Sequence, residues 1–326
     1  MIGVLRNIAS LRLTLAGLLV LAVGLVADQN HWLSGVWAIT PPLALLAVNL
    51  AAAMLVDPRF RRNPALFAFH LCLLLLAVLA GCGQLARFDA RLSLVEGQEY
   101  DGALLTPVRS GPLAPQPLLD GVLRQGAIAV DFTPGLRRGA TRSQVWVADR
   151  GWLEVGDDVP VLVDGYRLYT TSNKGYAALL RWLPERGDAE LGAVQFPSYP
   201  ATELGQMMRW RTPAGEELDL ALALSPTPYN ETWTLSTALA TDATIEVQAA
   251  GQRKRLRPGE AMSLTGGRLR FERVSMWMGY MVTYDLTLPW LFSIAVLAVV
   301  FMAAHFTTRL WKPMREDTVS GSRYPA

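Results

Sequence analysis

Two stretches, PALFAFHLCLLLLAVLAG (Pro64–Gly81) and LPWLFSIAVLAVVFMAAHF (Leu288–Phe306), decide how this chain folds. Each is close to the run of about 20 apolar residues that crosses a hydrocarbon layer as a helix. Each carries one histidine, His70 and His305. An ionisable side chain in hydrocarbon is costly, so it marks a functional position by default. Two more apolar runs lie upstream, at about Leu11–Ala27 and Val36–Val56. The first is short enough to resemble a signal peptide, but Asp28-Gln-Asn-His-Trp follows it instead of a small-residue cleavage site. It reads as retained.

The expected fold is therefore an integral membrane protein. Four transmembrane α-helices (11–27, 36–56, 64–81 and 288–306) carry a large, mainly β extracytoplasmic domain, 85–287, inserted between helices 3 and 4. Residues 307–326 form a tail. Composition agrees: 51% hydrophobic and 18% charged is too apolar for a soluble domain and too charged for a bare bundle. A net charge of +2, with no basic stripe interleaved with aromatics, argues against nucleic acid as a partner. Sidedness comes from lysine and arginine in short loops. Arg6 and Arg12, the 57–63 loop with Arg59, Arg61 and Arg62, and the tail with Arg309, Lys312, Arg315 and Arg323 are basic. The Asp28–Gly35 loop is not. Both termini then face the cytoplasm, the β domain faces outward, and the lipid bilayer is an obligate partner.

Within 85–287, Val159–Thr170 predicts two strands around an Asp164-Gly165 turn. Ala243–Ala249 and Arg268–Val274 alternate as strands do. Leu104–Pro134 reads as loop with one short strand near Ala127–Phe132. Tyr176–Trp182 and Thr202–Arg209 read as short helices. Met276-Trp-Met-Gly-Tyr280 fits an aromatic membrane-interface belt. The basic run Arg253–Arg257 reads as a solvated turn.

His70 lies roughly 9 Å into its helix from the inside and His305 roughly 25 Å into its own from the outside. In a core of about 30 Å both fall in the inner third. Two neutral imidazoles at one depth can be axial ligands of a haem iron; the competing reading is a capped or snorkelling residue near the interface. His31, beside Trp32, meets either a haem at the outer surface or, as an anchor, the headgroups. Cys72 and Cys82 sit on one helix about 15 Å apart, too far to pair. Cys72 reads as a small buried hydrophobe and Cys82 as a thiol at the outer edge without a visible redox partner. GxSxG, HExxH, Walker-type and CxxCH patterns are absent from the sequence.

Several stretches together resemble the ResB (CcsB) family of System II cytochrome c biogenesis. They are Ala9-Ser-Leu-Arg-Leu-Thr-Leu-Ala-Gly-Leu-Leu, Ala68-Phe-His70-Leu-Cys-Leu-Leu-Leu-Leu, Leu92-Ser-Leu-Val-Glu96-Gly97-Gln98 and Gly279-Tyr-Met-Val-Thr-Tyr284-Asp285-Leu-Thr-Leu-Pro289-Trp290. The chain is short for that family, and Asp285-Leu286 stands where the family has aspartate-proline. The resemblance implies a bacterial inner-membrane subunit that conveys haem b outward. It would support attachment to apocytochrome c together with a CcsA-like membrane partner. It implies His70 as the haem ligand and His305 as a weaker one, with this chain an accessory subunit of a haem-attaching complex and the attachment surface on the partner; His31 is a candidate from its place in the outer loop alone. A cofactor-free membrane scaffold and a haem-containing electron-transfer subunit are the alternatives.

Overall fold

The computed structural model describes residues 2–115, 123–200, 205–225, 230–249 and 251–316. The chain forms two compact units: Met1–Phe88 with Ser110–Pro115 and Tyr284–Ala326, and Asp89–Arg109 with Gln116–Thr283.

The first unit is helical: α1 (Ile2–Ile8), α2 (Leu11–Gln29), α3 (Gly35–Val56), α4 (Pro58–Arg62), α5 (Pro64–Ala86) and α6 (Leu288–Glu316). Helices α2, α3 and α5 and the Leu288–Thr308 part of α6 are long and apolar enough to cross a membrane, which suggests a multi-pass membrane protein. Local chemistry fixes their ends. The Ser10 hydroxyl accepts from Leu13 N–H at 3.2 Å and opens α2. Asn63 Oδ1 accepts from Leu66 N–H at 3.0 Å, and Pro64 follows in the first turn of α5. Short α4 is an addition to the expected topology.

α3 runs through Pro41 and Pro42. Pro42 has no N–H to give Ala38 O, so that carbonyl loses its helical donor. It points at α2 instead: a Cβ on Gly24 would lie 2.1 Å from Ala38 O. Only glycine permits that approach, where a Cα–H···O contact replaces the missing bond. Gly17, two turns earlier on the same face, is pressed on by Leu46 of α3. Small residues at a close helix crossing are how apolar helices associate without a hydrophobic drive.

The second unit is all β. Its strands are β1 (Phe88–Val95), β2 (Leu105–Ser110), β3 (Leu123–Thr133), β4 (Arg137–Val147), β5 (Gly151–Gly156), β6 (Val161–Val163), β7 (Tyr166–Pro184) and β8 (Glu190–Gln195). They continue as β9 (Met207–Arg211), β10 (Glu217–Ala223), β11 (Trp233–Leu235), β12 (Thr244–Ala249), β13 (Gln252–Leu256), β14 (Ala261–Leu264) and β15 (Gly267–Tyr284). A seven-stranded sheet runs β2-β1-β15-β7-β6, with β14 on β15 and β8 on β7; two four-stranded sheets run β11-β3-β4-β5 and β13-β12-β10-β9.

The Asp164-Gly165 turn is present, with φ of 48° and 84°, as a two-residue hairpin requires. β12 and the start of β15 match their alternating sequences. Five expectations are corrected. Tyr176–Trp182 is not a helix but the middle of β7, and Met207–Arg211 is a strand; residues 202–204 lie outside the described residues. Met276–Tyr280 is not an interface belt. It is the middle of β15, where Met276, Met278 and Tyr280 are fully buried. β7 and β15 are neighbours inside the large sheet and are covered on both faces, so their cores read as unbroken apolar runs. The loop expected over Leu104–Pro134 holds β2 and the long β3. The basic run is edge strand β13, with Arg253 paired to Glu246; a charged edge resists pairing with other chains.

Candidate functional site

His70 sits half-buried on α5, in the wall of a cavity of about 580 Å³ formed by α2, α3, α4 and α5. Leu18, Leu46, Leu50, Phe60, Leu73 and Leu76 supply most of the apolar lining. This volume lies within the range of roughly 300–1,000 Å³ typical of small-molecule sites. The ring of Phe60 meets His70 edge-on at 4.8 Å, and Phe69 at 5.1 Å.

The histidine's tautomer follows from its partner. His70 Nδ1 lies 2.8 Å from Leu66 O. A carbonyl only accepts, so Nδ1 carries the proton and donates. The ring is thereby held against its own helix, and Nε2 keeps its lone pair. A donating Nδ1 with a free Nε2 is the arrangement found in metal-bound imidazoles.

His305 is set the other way. It is 7% exposed, and its Nδ1 lies 3.0 Å from Asn63 Nδ2. Asn63 Oδ1 is already committed to the Leu66 N–H, so the amide nitrogen faces His305 and donates. Nδ1 is therefore the acceptor, and the neutral ring carries its proton on Nε2. His305 ties α6 to the N-cap of α5. The expectation of nearly equal depth gives way to a stagger, because Asn63 precedes His70 by seven residues, or roughly 10 Å of helical rise. Among the described residues, none of α6 lines the His70 cavity. The two rings are thus not gathered on one iron within this cavity.

His31 is exposed at φ 58°, just past α2. Its N–H reaches Asp28 O at 3.0 Å and the Trp32 N–H reaches Ala27 O at 2.9 Å. That pair of bonds is a Schellman motif with His31 in the left-handed position. Trp32 is 76% exposed, as an interface anchor would be. These bonds set the backbone conformation of His31. Cys72 is buried and Cys82 exposed, both as free thiols. Among the described residues no three His, Cys, Asp or Glu side chains converge as a metal site.

Asn49 was not singled out by its sequence. It is buried in α3 and lines the same cavity. Its Nδ2 donates to Ile8 O at 2.5 Å and Ser10 O at 3.2 Å, and its Oδ1 accepts from Thr14 at 2.7 Å. It fastens the break between α1 and α2. A lone amide within an apolar span was the available signal.

Neither a protein-family model nor a curated protein matches the chain.

Proposed function

We propose that this chain is a haem-conveying membrane subunit of a ResB-like cytochrome c assembly complex, working with a CcsA-like partner and an apocytochrome c. The observation that carries the reading is His70: an imidazole with Nδ1 engaged by Leu66 O and no partner on Nε2 among the described residues, in the wall of a leucine-rich cavity among apolar helices. The donor set fits a haem iron. When bound, haem would supply one redox-active iron. The chain's own part is to present Nε2, hold the ring through Leu66 and keep water away with leucines. Arg6 and Arg12, the arginines of 57–63, and Arg309, Lys312 and Arg315 beyond the apolar Leu288–Thr308 part of α6 support cytoplasmic termini in a bacterial inner membrane and an extracytoplasmic β unit.

The test is a reduced-minus-oxidised spectrum of the purified chain in mild detergent, alone and with its partner, for wild type, His70→Ala and His305→Ala. The proposal expects haem bands lost in His70→Ala and kept in His305→Ala, with both variants still inserted. Full haem content and full holocytochrome yield in His70→Ala would refute it. Equal loss from both variants in the lone chain would favour an electron-transfer subunit. Absence of haem under every condition would favour a cofactor-free scaffold.

A further inference from the structure

A shallow, largely open groove of about 320 Å³ lies wholly within the β unit. Its walls include Glu96, Arg124, Gly126, Trp152 and Arg273. We infer that it binds a small carboxylate carried on a flat apolar body, the carboxylate on the two arginines and the flat group on Trp152.

Four observations converge on it. The first is a bulge in β3. Gln125 pairs with Val145 and Ile128 with Ser143, so Gly126 and Ala127 together face Gln144. A bulge frees backbone groups from the ladder and is common beside binding sites. The second is charge. Arg124 and Arg273 are exposed and make no ion pair among the described residues; Arg273 reaches only its neighbour Val274 O, at 3.5 Å. Glu96 does not cancel them by occupying the space. Its Oε1 accepts from Ile128 N–H at 2.9 Å and its Oε2 lies 3.4 Å from Ser275 Oγ, so both oxygens are held by the sheet. Burial pushes its carboxyl above the usual range, opposed by its hydrogen bonds and by the charge of Arg273, so Glu96 offsets part of the Arg273 charge while Arg124 has no such neighbour in that balance.

The third is the indole. Trp152 is 55% exposed, yet its ring lies so close to Gly126 that a Cβ there would come within 2.5 Å of it. The Cζ3 edge of the ring abuts the glycine, and the exposed surface of the ring is available to stack. The fourth is a rigid floor: Gln125 is fully buried and completely hydrogen-bonded, so the arginines stand on a base that does not yield. Guanidinium–carboxylate pairing is charge-assisted and geometrically selective, and arginine also flanks aromatic surfaces well.

The same chemistry has two sources, a free aromatic acid or a propionate edge of a porphyrin. Two probes separate them, 1-naphthoate and metal-free protoporphyrin IX, with 1-naphthamide and protoporphyrin dimethyl ester as uncharged controls. The readout is quenching of tryptophan fluorescence in the full chain in detergent. Saturable binding of one acid, with its uncharged control at least tenfold weaker, is expected. Arg124→Gln and Arg273→Gln should each weaken it about tenfold, and Trp152→Ala should remove most of the quenching. His70→Ala should leave it unchanged, which separates this site from the haem proposal. Equal binding of acid and uncharged control, undiminished binding in the Arg124→Gln/Arg273→Gln double variant, or no saturable binding of either acid would each overturn the inference.

Discussion

Tyr280→Phe removes a single oxygen from the centre of the β unit, and the structure sets its cost. Tyr280 is fully buried, and its hydroxyl lies 2.6 Å from Gln125 Oε1 and 2.5 Å from Ser143 Oγ. Gln125 Nε2 in turn lies 2.9 Å from Ser143 Oγ and also reaches Gly126 O and Gln144 O. Donor rules fix the direction. Oε1 can only accept, so tyrosine donates to it; serine must then donate to tyrosine and accept from the amide. The three side chains form a closed ring of hydrogen bonds. Removing the phenol oxygen strands Gln125 Oε1 without a donor and the Ser143 hydroxyl without its acceptor. Each stranded buried group costs about 1–3 kcal/mol, so about 2–4 kcal/mol is expected after the phenol's own desolvation is recovered. In a domain of 150–250 residues, each kcal/mol lowers Tm by roughly 2–4 °C, giving a fall of about 4–16 °C. The assay is denaturant and thermal unfolding followed by near-ultraviolet circular dichroism. Ser143→Ala and the Tyr280→Phe/Ser143→Ala pair complete a double-mutant cycle, in which the pair should cost clearly less than the sum. A Tyr280→Phe loss under about 0.5 kcal/mol, or strict additivity, would refute the ring.

Burial lowers the pKa of the Lys174 ammonium to about 8, with Arg138 adding to the effect and Asp157 opposing it. Because the folded value lies below the unfolded one, the folded state binds fewer protons above pH 8. Stability should therefore rise between about pH 8 and pH 10 in wild type. Lys174→Met should abolish that rise in urea titrations at stepped pH. Gly24→Ala places a methyl on the Ala38 carbonyl and should cost about 1–3 kcal/mol in detergent unfolding; an unchanged midpoint would contradict the close crossing. His31→Gly relieves a left-handed residue. It should gain up to about 1 kcal/mol and leave haem content unchanged, whereas lost haem would restore His31 as a ligand.

The four long helices were legible because apolar runs of that length have few other uses. The Asp164-Gly165 hairpin was legible because two successive positive-φ residues demand that chemistry. Tyr176–Trp182 was misread because its apolar residues show no period of two, and the missing signal was its place inside a sheet covered on both sides. His70 stood out as an ionisable group in a span. Its tautomer did not, because that depends on a carbonyl one turn earlier. The Gln125–Ser143–Tyr280 ring was invisible, since three ordinary polar residues far apart in sequence carry no shared pattern. The arginine-lined groove was hidden in the same way, apart from the Glu96-Gly97 pair quoted for another reason.

The β unit begins with β1 and ends with β15, and these two strands are neighbours in one sheet. The helices that lead into and out of it, α5 and α6, also pack on one another. A ribosome makes α5 before the β unit and α6 after it, with roughly 200 residues between Ala86 and Leu288. At about 5–20 residues per second, that interval lasts about 10–40 s. Throughout it the Asn63 amide waits without its His305 acceptor, and β1 waits for the strand that will lie beside it. The newborn chain therefore holds an incomplete helix cluster and an open sheet edge together, until β15 closes the one and α6, directly after it, closes the other.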